Sequence, residues 1–265
     1  MKNAIIVPCY NEANRLKFDE FSTFLKTNPH FLICFVNDGS KDNTLQQLQT
    51  FEAHQDRVFV YDMPQNGGKA EAVRNGTNFI NSKYNLESIG FMDADLATGF
   101  DDYTMLVDEL IDNDLKMVFG SRKMESDANV ERSAFRKLAS WGVGLMIKLI
   151  IGLPIKDTQC GAKVFNPGIA RYIFNKSFMS RWLFDVEMFI RIRSLYKGQS
   201  MDFIKEVAVT EWEEVEGSHI TWQDSIKFPK ELLEIAFTYN VKPKFNIMIP
   251  VLKTSRNIGS AQKAA

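Results

Sequence analysis

The chain has 265 residues and a formal net charge of −1, with 45% hydrophobic and 25% charged residues. That balance belongs to a packed globular protein, and the length suits one large domain or two small ones. The lack of a basic excess excludes a general nucleic-acid binder, and three scattered cysteines, Cys9, Cys34 and Cys160, exclude a disulfide framework or a zinc cluster. They are read as reduced thiols in the cytosol.

The opening MKNAIIVPCYNE carries only a short apolar run, so no leader peptide is expected. Ala4–Val7 reads as a strand. Glu12–Lys26 has helical spacing, with Leu16, Phe21, Phe24 and Leu25 as its apolar members. Phe31–Asp38 is a buried strand, and Asp42–Phe51 a helix capped from the Ser40–Asn43 region. The strand Arg57–Met63 is followed by a Gly-Gly turn and the helix Lys69–Ile80. Then come the strand in Ser88–Asp95, a helix over Tyr103–Ile111, and the strand Lys116–Arg122. The apolar stretch Leu138–Ile155 is broken by Lys148, glycines and a proline, so it predicts an amphipathic or buried helix rather than a membrane span.

Strands alternating with helices predict an α/β fold, a mostly parallel sheet with helices on both faces. In such sheets the ligand lies beyond the carboxyl ends of the strands. Five polar groups fall there: PCYNE (Pro8–Glu12), NDGS (Asn37–Ser40), QNGGK (Gln65–Lys69), DAD (Asp93–Asp95) and GSR (Gly120–Arg122). Any one reads as a turn, but five in succession converge on one cleft. Asp93 and Asp95 ask for most explanation. Carboxylates in an i, i+2 relation on a strand share a face and repel. Either a cation or a shared proton must answer them, and the expectation is a charge from outside the chain.

These motifs, in this order and spacing, resemble glycosyltransferase family 2 with its Rossmann-like GT-A fold. GLPIKDTQCGAKVF (Gly152–Phe165), RWLFDVEMF (Arg181–Phe189) and VTEWEEVEGSHIT (Val209–Thr221) resemble its dolichyl- or polyprenyl-phosphate glucosyltransferase branch. The resemblance spans roughly residues 1–225, which implies a catalytic domain over 1–225 and a C-terminal helical extension and tail over 226–265. It implies an inverting, metal-dependent transfer of a hexose, glucose from UDP-glucose, to a polyprenyl phosphate. Mannose from GDP-mannose or a saccharide hydroxyl acceptor is the alternative within the family.

By the same resemblance Asp95 holds Mg2+ or Mn2+, and Asp93 holds the metal or the ribose edge. Relatives can place a further ligand where this chain has Ala97. Pro8, Tyr10, Asn11 and Glu12 line the nucleoside and Asp38 accepts from the base, although the family's first Asp of Asp-Asp-Gly-Ser is Asn37 here. Gly68, Lys69 and Arg74 suit the diphosphate at a helix start. Arg132, Arg136, Lys137 and Lys148, without an intervening acid, form a basic apolar stretch suited to an interfacial membrane contact. Arg122, Arg132 and Arg136 are expected on the acceptor phosphate, which arginine can fork bidentately.

A lipid phosphate, with a second pKa of about 6, needs no strong base. A hydroxyl acceptor would need one, with Asp157 and Glu187 as candidates. Trp182, Trp212 and His219 are candidates to shape the sugar or acceptor pocket. The expected setting is cytoplasmic and peripheral on the cytoplasmic face of a membrane, with a homo-oligomer or a membrane partner subunit both open. Two readings of other classes compete. An aspartyl-phosphate phosphatase also places Asp-x-Asp after an apolar strand, but on its first strand and with different following residues. A non-catalytic nucleotide-sugar-binding module would have no need to keep both carboxylates.

Overall fold

The near-continuous apolar runs of the first half become strands buried on both faces, as a parallel sheet covered by helices requires. The computed structural model describes residues 2–122, 134–210 and 222–241, with the side chains of 134–141 and 222–226 outside that description. Along the chain lie β1 (Asn3–Cys9), α1 (Phe18–Thr27), β2 (Phe31–Asn37), α2 (Thr44–Ala53), β3 (Val58–Asp62), α3 (Lys69–Lys83), β4 (Ser88–Phe91), α4 (Phe100–Asp112) and β5 (Met117–Ser121). They are followed by α5 (Ala134–Ile151), β6 (Lys163–Phe165), α6 (Pro167–Ile173), α7 (Phe184–Tyr196), α8 (Ser200–Phe203), β7 (Ile204–Ala208) and α9 (Trp222–Thr238).

The seven strands form one sheet in the order β3-β2-β1-β4-β6-β5-β7. All neighbours run parallel except β6, which is antiparallel to both β4 and β5. Strand alternation feeds two cores. Ala4, Ile6, Leu32, Cys34 and Val36 join α3, α5, α6, α7 and α9 on one face. Ile5, Val7, Ile33 and Phe35 join α1 and α4 on the other. There Phe21 packs edge-on at 4.9 Å from Phe35 and 5.3 Å from Phe100.

Two expectations are revised. The helix expected from Glu12 starts only at Phe18, because Asn11 adopts φ 55° and the following residues are tied into the site loops described below. The strand β6 carries no period-2 signal in three residues and was not foreseen. It inserts where Gly90 of β4 leaves room: a Cβ there would lie 2.1 Å from the Lys163 carbonyl oxygen and 2.5 Å from the Tyr103 hydroxyl.

The expected division at 225 falls inside α9, whose Leu232 and Ile235 are buried in the same core as α3 and α7. In α5, Ile147, Ile150 and Ile151 are buried while Lys148 is exposed. This is an amphipathic packing helix in its described half, and no helix among the described residues is long and apolar enough to cross a membrane.

Because the atoms facing Gly90 include backbone, β4 and β6 must part to admit a methyl group. Gly90→Ala is expected to cost about 1–3 kcal/mol, the usual range for overpacking. A lowered urea midpoint at unchanged m-value measures it.

Candidate active site

Strand β1 is flanked by β2 and β4, so chain order reverses about β1 and a crevice opens beyond its carboxyl end. The polar motifs meet there and brace one another. The Asn11 N–H donates to Ser40 Oγ at 3.0 Å, the Lys41 N–H to Asn11 Oδ1 at 2.8 Å, and the Glu12 N–H to Thr44 Oγ1 at 2.8 Å. The loop after β1 is thus fixed to the loop after β2, with Pro8 and Tyr10 half-buried on its wall. The departure at Asn37 has a local cause. Its amide donates to Asp62 Oδ1 on β3 at 2.7 Å, where a carboxylate would meet a like charge.

Asp38 is 3% exposed and organises the glycine loop. Its carboxylate accepts from the Gly67 N–H at 2.6 Å, the Gly68 N–H at 2.8 Å and the Asn66 amide at 3.0 Å. Burial pushes its carboxyl up, partly offset by those two N–H groups and the Arg181 charge. A hydrogen bond to a base would have to use a remaining lone pair of a carboxylate already committed to this loop. Gly68, at φ +88°, precedes α3 and leaves no room for a side chain, because a Cβ would lie 2.5 Å from Arg181 Nε. Arg181, which opens the RWLFDVEMF motif but carried no role of its own there, stands over this turn and donates to Asn66.

Strand β4 ends at Phe91, so Asp93 and Asp95 lie in the turn beyond it. Their charge is not left to an outside cation alone, which corrects the expectation. Lys69, the first residue of α3, pairs with Asp93. Arg15 NH2 lies 3.1 Å from Asp95 Oδ2, and its Nε lies 3.1 Å from Glu12. Burial alone would depress the Lys69 ammonium, but Asp93 and then Asp185 outweigh it and hold it above the usual lysine range.

The antiparallel strand supplies the floor. Gly161, just before β6, lies so close that a Cβ would sit 2.1 Å from Asp93 Oδ2. Lys163 is fully buried, 2.8 Å from Asp185 Oδ1 and donating to the Cys160 carbonyl at 2.6 Å. A lysine between Ala162 and Val164 was the available signal, since a buried ammonium demands a counter-charge.

The remaining expected residues fall elsewhere or in other roles. Arg122 and Asp157, expected as acceptor ligand and candidate base, form one bidentate pair at 2.7 and 3.0 Å. Burial pushes the Asp157 carboxyl up, but the Arg122 hydrogen bonds and charge more than offset it, leaving it below the usual range. A carboxylate so held is a weak proton acceptor. Glu187 is corrected outright as a base. It is 0% exposed and accepts from the Met179 and Ser180 N–H groups at 2.8 and 3.2 Å and from the Tyr239 hydroxyl at 3.0 Å. It anchors the loop that carries Arg181 and Trp182. Arg74 pairs with Glu71 one turn earlier on α3, at 2.7 Å. Arg132, Trp212 and His219 lie outside the described residues, and the Arg136 side chain on α5 does too.

Among the described residues no group of three or more His, Cys, Asp or Glu gathers as a ready-made metal cage. A small hard cation needs none, because Mg2+ is commonly held by one or two carboxylates with water and substrate phosphate completing the shell. Asp93 and Asp95 fit that donor chemistry, with side chains 35% and 19% exposed at the crevice. A separate cavity between α1 and α4 is lined by Asp19, Glu20, Asp101 and Asp102, an acidic wall unsuited to a diphosphate.

Two measurements test these assignments. Lys163→Met strands Asp185 without its cation and is expected to cost about 3–5 kcal/mol, whereas Lys163→Met with Asp185→Leu regains most of it. Near-equal urea midpoints for the single and double variants would contradict the pairing. The Asp157 carboxyl, depressed on folding, contributes stability above its unfolded value of about 3.9 and loses it as pH falls through the lower folded value. The stability gap between wild type and Asp157→Asn is therefore expected to be full at neutral pH and to close in acid, as followed by urea unfolding across pH.

The glycosyl transferase family 2 model matches residues 4–177. The chain is 34% identical over 253 residues to a dolichyl-phosphate beta-glucosyltransferase of Dictyostelium discoideum, covering 89% of this chain and 74% of the relative. It is 34% identical over 254 residues to the Homo sapiens protein of the same name, covering 89% and 75%. The fold matches glucosyl-3-phosphoglycerate synthase of Mycobacterium tuberculosis with a TM-score of 0.63 at 12% identity, covering 92% of this chain and 82% of that one. The same fold with Mn2+ and UDP-glucose bound also gives 0.63 at 12% identity, covering 92% and 80%. With a GT-A sheet, paired carboxylates beyond β4 and a glycine loop opening α3, the chain is a glycosyltransferase and belongs to glycosyl transferase family 2.

Proposed function

We propose that this enzyme transfers glucose from UDP-glucose to a dolichyl or other polyprenyl phosphate, by direct displacement with inversion at the anomeric carbon. The observation that carries the reading is the pairing of Asp93 with Lys69 at the start of α3, with Asp95, two residues on, paired to Arg15. Carboxylates for a divalent cation and a cationic helix start for phosphate are what a departing diphosphate needs. Mg2+ or Mn2+ held by Asp93 and Asp95 would neutralise the charge developing on that leaving group. The names of the relatives support the lipid acceptor, and the neighbour's complex with Mn2+ and UDP-glucose supports the donor and metal.

The residues then divide the work. Tyr10 and Pro8 offer the nucleoside a wall, with Asn11 and Glu12 bracing it. Asp38 shapes the Gly67-Gly68 turn against which the diphosphate rests, and Arg74 lies one helical turn behind Lys69. Neither carboxylate expected as a general base suits that task. Glu187 is sealed and Asp157 is bound to Arg122. This favours an acceptor that arrives ionised, as a lipid phosphate does, with positioning and charge neutralisation supplying the rate. Arg122, Arg132 and Arg136 are proposed to receive that phosphate. The basic stretch leading into α5 is proposed to rest on the cytoplasmic face of a membrane, alone, as a homo-oligomer or beside a membrane subunit.

A thermal-shift panel of UDP, UDP-glucose, GDP and GDP-mannose, each with and without Mn2+, tests the donor. UDP and UDP-glucose are expected to raise the melting temperature more than the guanosine pair, and equal shifts would overturn the choice of UDP-glucose. Asp95→Asn is expected to abolish metal-dependent transfer and to change stability by no more than about 1 kcal/mol, since the amide can keep the Ala97 N–H contact and the partly exposed ion pair with Arg15 is what is lost. Arg132→Ala or Arg136→Ala is expected to raise KM for a polyprenyl phosphate while UDP affinity holds.

A further inference from the structure

The described half of the crevice contains two kinds of ion pair, and their exposure separates them. Lys163 and Asp185 are 0% and 8% exposed at the side chain, sealed under β4 as part of the floor. Lys69 and Asp93 are 25% and 35% exposed, and Arg15 and Asp95 are 25% and 19% exposed. These two pairs stand at the open end of the crevice, and each engages one of the two carboxylates that fit a divalent cation.

We propose that Lys69 and Arg15 are resident counter-cations of Asp93 and Asp95, so that the metal ion and the donor diphosphate enter as a mutually dependent unit. The inference rests on the donor and metal reading above and goes beyond it. It makes Lys69 and Arg15 competitors of the metal for the carboxylates before they become partners of the diphosphate.

The charge balance gives the reason. Two carboxylates are matched by one ammonium and one guanidinium. A divalent cation entering alone takes the carboxylates and breaks both ion pairs in a partly buried crevice. A sugar diphosphate entering alone, with one negative charge on each phosphate, finds the cations already spent. When both enter, the metal takes the carboxylates and the diphosphate takes the released ammonium and guanidinium, so each broken pair is replaced by a new one.

The geometry provides for the exchange. Lys69 is the first residue of α3, directly after the Gly67-Gly68 turn, so its ammonium has the diphosphate position within its own reach. Arg15 for its part keeps Glu12, 3.1 Å from its Nε, when Asp95 is taken.

Calorimetric titration of MnCl2 alone into wild type, Lys69→Met and Arg15→Met tests the competition without turnover; methionine keeps the apolar stem and removes the charge. Removing a partly exposed competing cation is expected to tighten Mn2+ binding about three- to tenfold in each variant. In wild type, Mn2+ and UDP-glucose are expected to tighten one another by the same factor, as linkage requires, and that factor is expected to shrink in both variants.

Mn2+ binding that is no tighter in either variant would overturn the inference, and tightening in one is enough to sustain it for that pair. Should one variant lose its fold by circular dichroism, the other decides. Failure of UDP-glucose to bind wild type with Mn2+ present would overturn the donor reading, while the comparison with Mn2+ alone still decides the role of the two cations.

Discussion

Two carboxylates placed one residue apart at the mouth of a sheet are the constraint around which the rest of this molecule is arranged. Asp93 and Asp95 cannot both be ionised at close quarters without counter-charge, and the fold brings that charge from two separate elements. Lys69 arrives on the first turn of α3, whose start is set by the Gly67-Gly68 turn held on Asp38. Arg15 arrives from the loop after β1, which is itself fixed to the loop after β2 through Asn11 and Glu12. The cross-bracing of the loops is therefore electrostatic in purpose: it fixes where the positive charges stand.

The antiparallel strand β6 is the second requirement. A parallel sheet alone would leave the floor of the crevice to whatever helix packed there. β6 places Gly161 against the Asp93 carboxylate and Lys163 beneath it, and Lys163 in turn holds Asp185 at the start of α7. One short strand thus fixes the rotamer space of a site carboxylate and links the sheet to α7. From α7, Glu187 and Arg191 tie down the 173–180 segment and Tyr239 at the end of α9. The donor side of the crevice and the last described helix are joined through this chain of buried polar contacts.

Much of this was legible in the sequence because its cause is local. Strands buried on both faces read as unbroken apolar runs, and β1, β2 and β5 stand where those runs do. The strand-end motifs read as a cleft because each is a short polar break after such a run. What was not legible depends on distant partners. β6 is too short to show a period, and its character comes from Gly90 across the sheet. Arg15 looked like a residue of an early helix until the positive φ at Asn11 displaced that helix start. Arg122 and Asp157 each looked chemically available because nothing in a sequence shows that the two neutralise one another. Asn37, a departure from the family pattern, made sense only once Asp62 was seen beside it.

The buried carboxylates also bear on what kind of nucleophile the crevice can serve. A hydroxyl acceptor must lose its proton during transfer and needs a nearby carboxylate that can take it. Burial and hydrogen bonds consume Glu187, and Arg122 stabilises the ionised form of Asp157 and so weakens it as a base. An acceptor phosphate asks the opposite of its site. It brings its own negative charge and needs cations rather than a base. The Arg122–Asp157 pair stands at the carboxyl end of β5, on the side of the sheet remote from α2 and β3, with Arg122 already oriented by a bidentate contact. The same pairing that disables Asp157 as a base fixes where the Arg122 guanidinium stands at the end of β5.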